Sequence, residues 1–228
     1  MKRSSYVEYN HSQHMMIVRN QDHVSVRNSK NGELVFDFSS KEMKGSYVEG
    51  LFLDDQLMII TMREGWSKPL KVVKVVNVNT KQEVKDIFPP KELQGKEIWS
   101  IASSLQSHQI AVGLSNEIRI FTLNSLQQVY TLSQRYDVPN FKTEKIYFSL
   151  DGKYLIIPSL IKYIPYFQEK LIAPIMEWNI STGEVIMPYG CDLKKIELVR
   201  FVVYSPDGKG IVGTSDKGQM MEWLTPQR

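Results

Sequence analysis

The stretch VRFVVYSPDGKGIVGTSDKGQMMEW, Val199 to Trp223, decides how the chain is read. Val199 to Tyr204 is apolar and β-branched or aromatic at most positions, the pattern of a strand buried on both faces. Ser205-Pro206-Asp207-Gly208 reads as a turn, because proline presets φ and glycine accepts positive φ. Ile211-Val212-Gly213-Thr214 is a second apolar run, and Asp216-Lys217-Gly218 is a second turn signal. A third run closes on Trp223. Strands this short, joined by turns this tight, fold as an antiparallel meander.

Weaker copies of the stretch run back to the N-terminus. Ile146 to Gly152 repeats the first strand and its turn, Tyr154 to Ile157 the second strand, and Ile175-Met176-Glu177-Trp178 the Met-Glu-Trp ending. Ile98 to Leu123 is another copy, with Phe121 in the place of the tryptophan. Tyr47 to Val78 follows the same order with Val76 there, and MMIVRN with HVSVRN is the faintest copy, with Arg27. The marker positions 27, 76, 121, 178 and 223 are spaced 49, 45, 57 and 45 residues. A period near 45 with about four strands per unit is the signature of a β-propeller array.

A fourth strand follows every marker but the last. Asn31-Gly32-Glu33-Leu34, Thr182-Gly183-Glu184-Val185 and, more loosely, Lys81-Gln82-Glu83-Val84 open it. After Trp223 only Leu-Thr-Pro-Gln-Arg remains, and Pro226 is a poor inner-strand residue. The sequence therefore predicts one all-β domain over residues 1–228. Its blades span about 4–40, 44–90, 96–134, 142–190 and 194–228, and the last lacks its fourth strand. Because Ser4 to Tyr9 is already needed as the first strand of the first blade, no strand is left over to complete the last one. The array is not expected to close as an ordinary seven-bladed ring. Gln219 to Trp223 is expected as an unpaired edge, filled by a partner strand or by further blades of a larger ring.

SPDGKGIVGTSDKGQMMEW, SLDGKYLIIPS and IMEWNISTGEVI resemble the WD-repeat propeller family, and the likeness runs more weakly across nearly the whole chain. In that family a histidine, a serine or threonine, an aspartate and the marker tryptophan share a buried hydrogen-bond network. Thr214 or Ser215, Asp216 and Trp223 match three of those four, and Trp178 marks the preceding unit. No Gly-His precedes the first strand, and Leu224 and Asn179 stand where the family has aspartate after tryptophan. The resemblance implies a propeller fold and a scaffolding role, and it implies no catalytic residues.

Composition narrows the function classes. The 42% hydrophobic content is that of an ordinary soluble chain, and no apolar run is long enough to span a bilayer. MKRSSYVEYN has no apolar segment behind its two basic residues, so it does not read as a signal peptide. With Cys191 the lone cysteine, there is no intrachain disulfide and an intracellular location is expected. The 28 bases and 25 acids are mixed along the chain, and the resulting net +3 does not make the clustered basic face that nucleic acid requires.

Candidate chemistry is sparse. His11, His14 and His23 suggest a metal cluster, but no cysteine or carboxylate lies between the two close histidines, and exposed turn positions are the better reading. Ser103, Ser104 and His108 have no aspartate placed to orient the histidine and no nucleophile elbow. No phosphate loop, dinucleotide fingerprint or glycosidase-like carboxylate pair occurs, so no catalytic, cofactor or metal residue is assigned.

Two loops stand out. Arg63 to Leu70 carries Trp66, and Pro158 to Pro174 carries Tyr163, Tyr166 and Phe167. Both join second to third strands, which places them on one face of a propeller, and such aromatics dominate interface energetics. The competing reading has Ile161, Ile164, Leu171 and Ile172 folding the second loop over its own blade. The expectation is a non-catalytic scaffold that binds other proteins through Trp66, Tyr163, Tyr166 and Phe167. The alternative is an enzyme or small-ligand-binding propeller with a site in the central channel, whose first strands offer few convergent polar groups.

Overall fold

The structure is a computed structural model that describes residues 6–10, 12, 14–20, 23–39, 47–64, 68–84, 88–115, 117–133, 145–158, 175–188, 199–205, 207–215 and 218–225. Those residues form five antiparallel sheets, each keeping its strands in chain order. The first sheet is β1 (Tyr6–Tyr9), β2 (Met15–Asn20), β3 (His23–Asn28) and β4 (Leu34–Ser39). The second is β5 (Tyr47–Phe52), β6 (Leu57–Arg63), β7 (Val72–Asn77) and β8 (Gln82–Glu83). The third is β9 (Ser100–Ser104), β10 (Gln109–Gly113), β11 (Glu117–Thr122) and β12 (Gln128–Ser133). The fourth is β13 (Tyr147–Phe148), β14 (Tyr154–Pro158), β15 (Ile175–Asn179) and β16 (Val185–Pro188). The fifth has three strands, β17 (Val199–Tyr204), β18 (Gly210–Ser215) and β19 (Met220–Leu224).

The class is therefore all-β. Among the described residues the helical structure is one 3-10 turn, Lys91–Leu93, and no helix is long and apolar enough to cross a membrane. The chain divides into two compact units, Met1–Trp99 with Thr122–Gln127, and Ser100–Phe121 with Gln128–Arg228.

The repeat seen in the sequence is a repeat of register. Leu155 lies opposite Trp178 and Ile156 opposite Glu177, as Ile211 lies opposite Trp223 and Val212 opposite Glu222. In the first, third and fourth sheets the pairing of fourth strand with third slips by one residue at the marker, between Val26 and Arg27, between Ile120 and Phe121, and between Glu177 and Trp178, whereas in the second Val76 and Asn77 pair with Glu83 and Gln82 without a slip. Such a slip adds local twist and bends the strand.

The residue after the marker sets the next turn. The Oδ1 of Asn28, Asn77 and Asn179 accepts backbone N–H bonds from residues two and three further on. Each turn then closes by a bond from the fourth residue onto the asparagine carbonyl, at 2.8–2.9 Å, from Gly32, Lys81 and Gly183. All three donors are left-handed, with φ of 74°, 61° and 67°. A lysine side chain crowds the carbonyl there and a glycine does not. Lys81→Gly is expected to raise stability by about 0.5–1 kcal/mol, the left-handed penalty less the added freedom of the unfolded chain. A denaturant midpoint that falls contradicts this.

Within each unit the sheets stack face to face. In the first, Arg19 of β2 pairs with Glu49 of β5 at 2.6 Å, and a Cβ on Gly50 would lie 3.0 Å from Val24 Cγ1. The buried Asn10 amide donates to Asp55 at 2.9 Å, tying the β1–β2 turn to the β5–β6 turn. In the second, Ala111, Ile120 and Leu132 of the third sheet pack on Leu155, Ile157 and Trp178 of the fourth. Ile156 and Ile175 of the fourth pack in turn on Val202, Tyr204 and Ile211 of the fifth.

One expectation fails here. Val199 to Tyr204 is not buried on both faces: Val199, Val202 and Tyr204 are covered by the fourth sheet, but Val203 is 49% exposed. Alternation along β17 turns Val203 to the side on which no packed sheet lies among the described residues.

Candidate functional site

The best-defined repeated feature is the β-turn that leads from first to second strand in the fourth and fifth sheets. Ser149 Oγ donates to Asp151 Oδ1 at 2.6 Å and accepts the Tyr154 N–H at 3.0 Å. Ser205 Oγ donates to Asp207 Oδ1 at 2.6 Å and accepts the Gly210 N–H at 2.9 Å. Each aspartate also accepts a lysine N–H, from Lys153 and from Lys209, at 3.1 Å. The Ser205 hydroxyl, and then the Lys209 N–H, hold the Asp207 carboxyl below the usual carboxylate range. These carboxylates are thus spent on turn geometry.

Of the repeat markers, Trp178 is buried within the core shared by the third and fourth sheets, and Trp223 is half-buried against the fourth sheet. Asp216 lies outside the described residues, and with it the hydrogen-bond network that the WD-repeat resemblance implies. The interface candidates Trp66, Tyr163, Tyr166 and Phe167 also lie outside them.

One histidine departs from the turn reading. His14 is exposed just before β2, but His23 opens β3, is half-buried, and faces Asp37 of β4 at 2.7 Å. It belongs to a cross-strand pair because the short β2–β3 connection brings it into the strand. His11 is outside the described residues. Among the described residues no three His, Cys, Asp or Glu side chains gather as a metal site would need. Ser104 is buried and its Oγ accepts the Ser107 N–H at 3.2 Å, while His108 holds a left-handed turn position with φ 50°.

Two buried charged side chains escaped the sequence reading. Glu177 is fully buried and accepts the Tyr204 hydroxyl at 2.6 Å, a bond from the fifth sheet to the fourth. Alternation along Met176-Glu177-Trp178 was the available signal, since it turns the glutamate opposite to the buried tryptophan and hence toward a second neighbour. Arg63 is also buried, at the end of β6, and donates to the Trp99 carbonyl at 2.9 Å.

An open groove in the first unit runs between Leu53 and Leu57, Pro90 and Leu126. Its Asp54 carboxylate already accepts the N–H groups of Gln56 and Leu57, both at 2.6 Å. Exposed apolar side chains lie elsewhere, among them Val203, Met220 and Leu224 in the fifth sheet and Val7, Tyr9 and Leu34 in the first, with others at Val129, Tyr130, Leu150 and Val185. Surfaces, and not a cluster of acids, bases and nucleophiles, are what the described residues offer.

No protein-family model and no curated protein matches the sequence. Among solved structures, the chain is similar to one titled Kuenenia stuttgartiensis Hydrazine Synthase, with a TM-score of 0.56 and 17% identity. The similarity covers 92% of this chain and 54% of that one, so this chain spans about half the length of its neighbour. At that identity the likeness is one of fold.

Proposed function

We propose that the chain is a divergent WD-repeat-type β-propeller array that serves as a non-catalytic scaffold for other proteins. The observation that carries this reading is the repeated register. The third-strand marker of the fourth sheet packs back on the third sheet, and that of the fifth on the fourth, with the same residues opposite it. Stacked meanders of this kind are how a propeller builds blades from units that cannot bury their faces alone. The short polar groups of the described turns are engaged in local bonds, which leaves recognition to loops and sheet surfaces.

Partner binding is assigned to the loops that carry Trp66 and Tyr163, Tyr166 and Phe167, since buried aromatics at an interface contribute about 2 kcal/mol or more each. The test replaces Tyr166 and Phe167 together by serine. Unchanged melting with loss of captured partner proteins is the expected result. Markedly earlier melting makes the loop a cap over its own sheet, and unchanged stability with unchanged capture refutes the assignment.

A further inference from the structure

The Tyr204–Glu177 bond joins two positions that recur in the other sheets. The first is the third-strand residue just before the marker. It is Val26, Val75 and Ile120 in the first three sheets, all buried, and an acid in the last two: Glu177, buried, and Glu222, exposed. The second is the first-strand residue in register with the marker through the second strand. Tyr204 holds it in the fifth sheet, through Ile211 and Trp223. Tyr9 holds it in the first sheet, through Met16 and Arg27. Phe52 and Phe148, which lack a hydroxyl, hold it in the second and fourth.

One acid and one tyrosine of this set are already joined. The remaining two, Glu222 and Tyr9, are exposed and stand on faces turned away from the neighbouring sheet of their own unit. On β19, Trp223 and Met221 turn to the fourth sheet, so Met220, Glu222 and Leu224 turn away from it. Met220 and Leu224 are 77% and 79% exposed. On β1, the register that places Glu8 beside Ile17 turns Val7 and Tyr9 to the opposite side, away from the second sheet. They are 46% and 53% exposed. The β17–β19 face is apolar around Glu222, and the β1–β4 face sets Val7 and Tyr9 beside charged groups, with Arg27 in register with Tyr9 and Asp37, paired to His23, in register with Val7. Glu222 is thus complementary to the Tyr9 hydroxyl and to the Arg27 guanidinium next to it.

We propose that the open face of β17–β19 docks on the open face of β1–β4 in a second copy of this chain, with Tyr9 donating to Glu222 as Tyr204 does to Glu177. Leu224, Met220 and Val203 then cover Val7 and Met16, as the fifth sheet covers the fourth. The two faces differ, so the contact is heterologous, and each copy keeps one face free for the next until a ring closes. The inference rests on registers and exposure and is independent of the scaffold role.

Sedimentation of the 228-residue chain over a range of concentrations tests it. The wild type is expected to associate, and Leu224→Asp and Val7→Asp, both at exposed positions, are each expected to be monomeric with unchanged circular dichroism. Mixed in equal amounts, the two variants are expected to form a dimer and nothing larger, because each supplies the face the other lacks. Tyr9→Phe, which keeps the ring, is expected to weaken association about tenfold or more, the worth of a hydrogen bond to a charged group. A wild type that stays monomeric at every soluble concentration overturns the proposal, whatever else covers those faces. So does a mixture that stays monomeric, a Leu224→Asp chain that assembles like the wild type, or a Tyr9→Phe chain with undiminished association.

Discussion

Trp178→Ala is expected to cost about 3–5 kcal/mol, near the top of what one core truncation removes, while Trp223→Ala costs less than half as much. The two residues hold the same repeat position and the same register, so the comparison isolates packing. Trp178 is 2% exposed and walled by Leu155, Ile157 and Met176 of its own sheet and Ala111 and Ile120 of the third. Those walls belong to strands held by hydrogen bonds on both sides, so the hole left by the indole relaxes little and stays dry. Trp223 is half-buried, and Gly213 stands where the fourth sheet has Ile157, so the pocket around it is shallower and water reaches what is uncovered. Urea midpoints for the two variants, at unchanged slope, measure the difference. Equal losses contradict it.

What the sequence reveals and what it hides follow from the range of the interactions. The turns at Ser205-Pro206-Asp207-Gly208 and Thr182-Gly183-Glu184-Val185 are legible because proline, aspartate and glycine act on the backbone within four residues. The meander order follows from them, since short turns leave consecutive strands no other neighbour. The marker position is legible as spacing, and the register slips at Arg27, Phe121 and Trp178 give that spacing its physical sense. Asn28 and Asn77 could have been found as companions of Asn179, each directly after its marker, but they were not, because the family pattern directs attention to an aspartate there. The fates of the two Met-Glu-Trp copies are not legible at all. The same three residues on the same strand give a buried, bonded glutamate in Glu177 and an exposed one in Glu222. Only the neighbouring sheet differs, and sheet neighbours lie tens of residues away. For the same reason β17 reads as buried on both faces while Val203 is half-exposed: an apolar strand records what it can bury, not whether a neighbour has arrived.

Gly152→Ala is expected to cost about 2–5 kcal/mol, and Gly208→Ala only about 1–2. Both glycines occupy the same place in the same Ser-x-Asp-Gly turn, and both are left-handed, at φ 69° and 70°. A Cβ at either position crowds the following carbonyl equally, which sets the smaller cost. Nothing lies within 4 Å of a Cβ at Gly208, whereas one at Gly152 would overlap Oγ and Cβ of Ser107 and sit 2.7 Å from Ser104 Oγ. Ser107 cannot swing clear by rotating alone, because its Cβ is part of the obstruction and its N–H is bonded to Ser104 Oγ at 3.2 Å. The fourth-sheet turn is therefore pressed into the β9–β10 turn, and the added methyl forces two sheets apart, whereas a methyl at Gly208 has room around it. Ser107→Gly removes the obstructing Cβ and leaves the rotatable Ser104 Oγ at 2.7 Å, so combined with Gly152→Ala it is expected to recover most of the excess loss and bring the cost close to that of Gly208→Ala. Chemical denaturation of the four variants measures this. A double variant no more stable than Gly152→Ala alone, or equal losses at the two glycines, places the strain in the backbone and not in the contact between the turns.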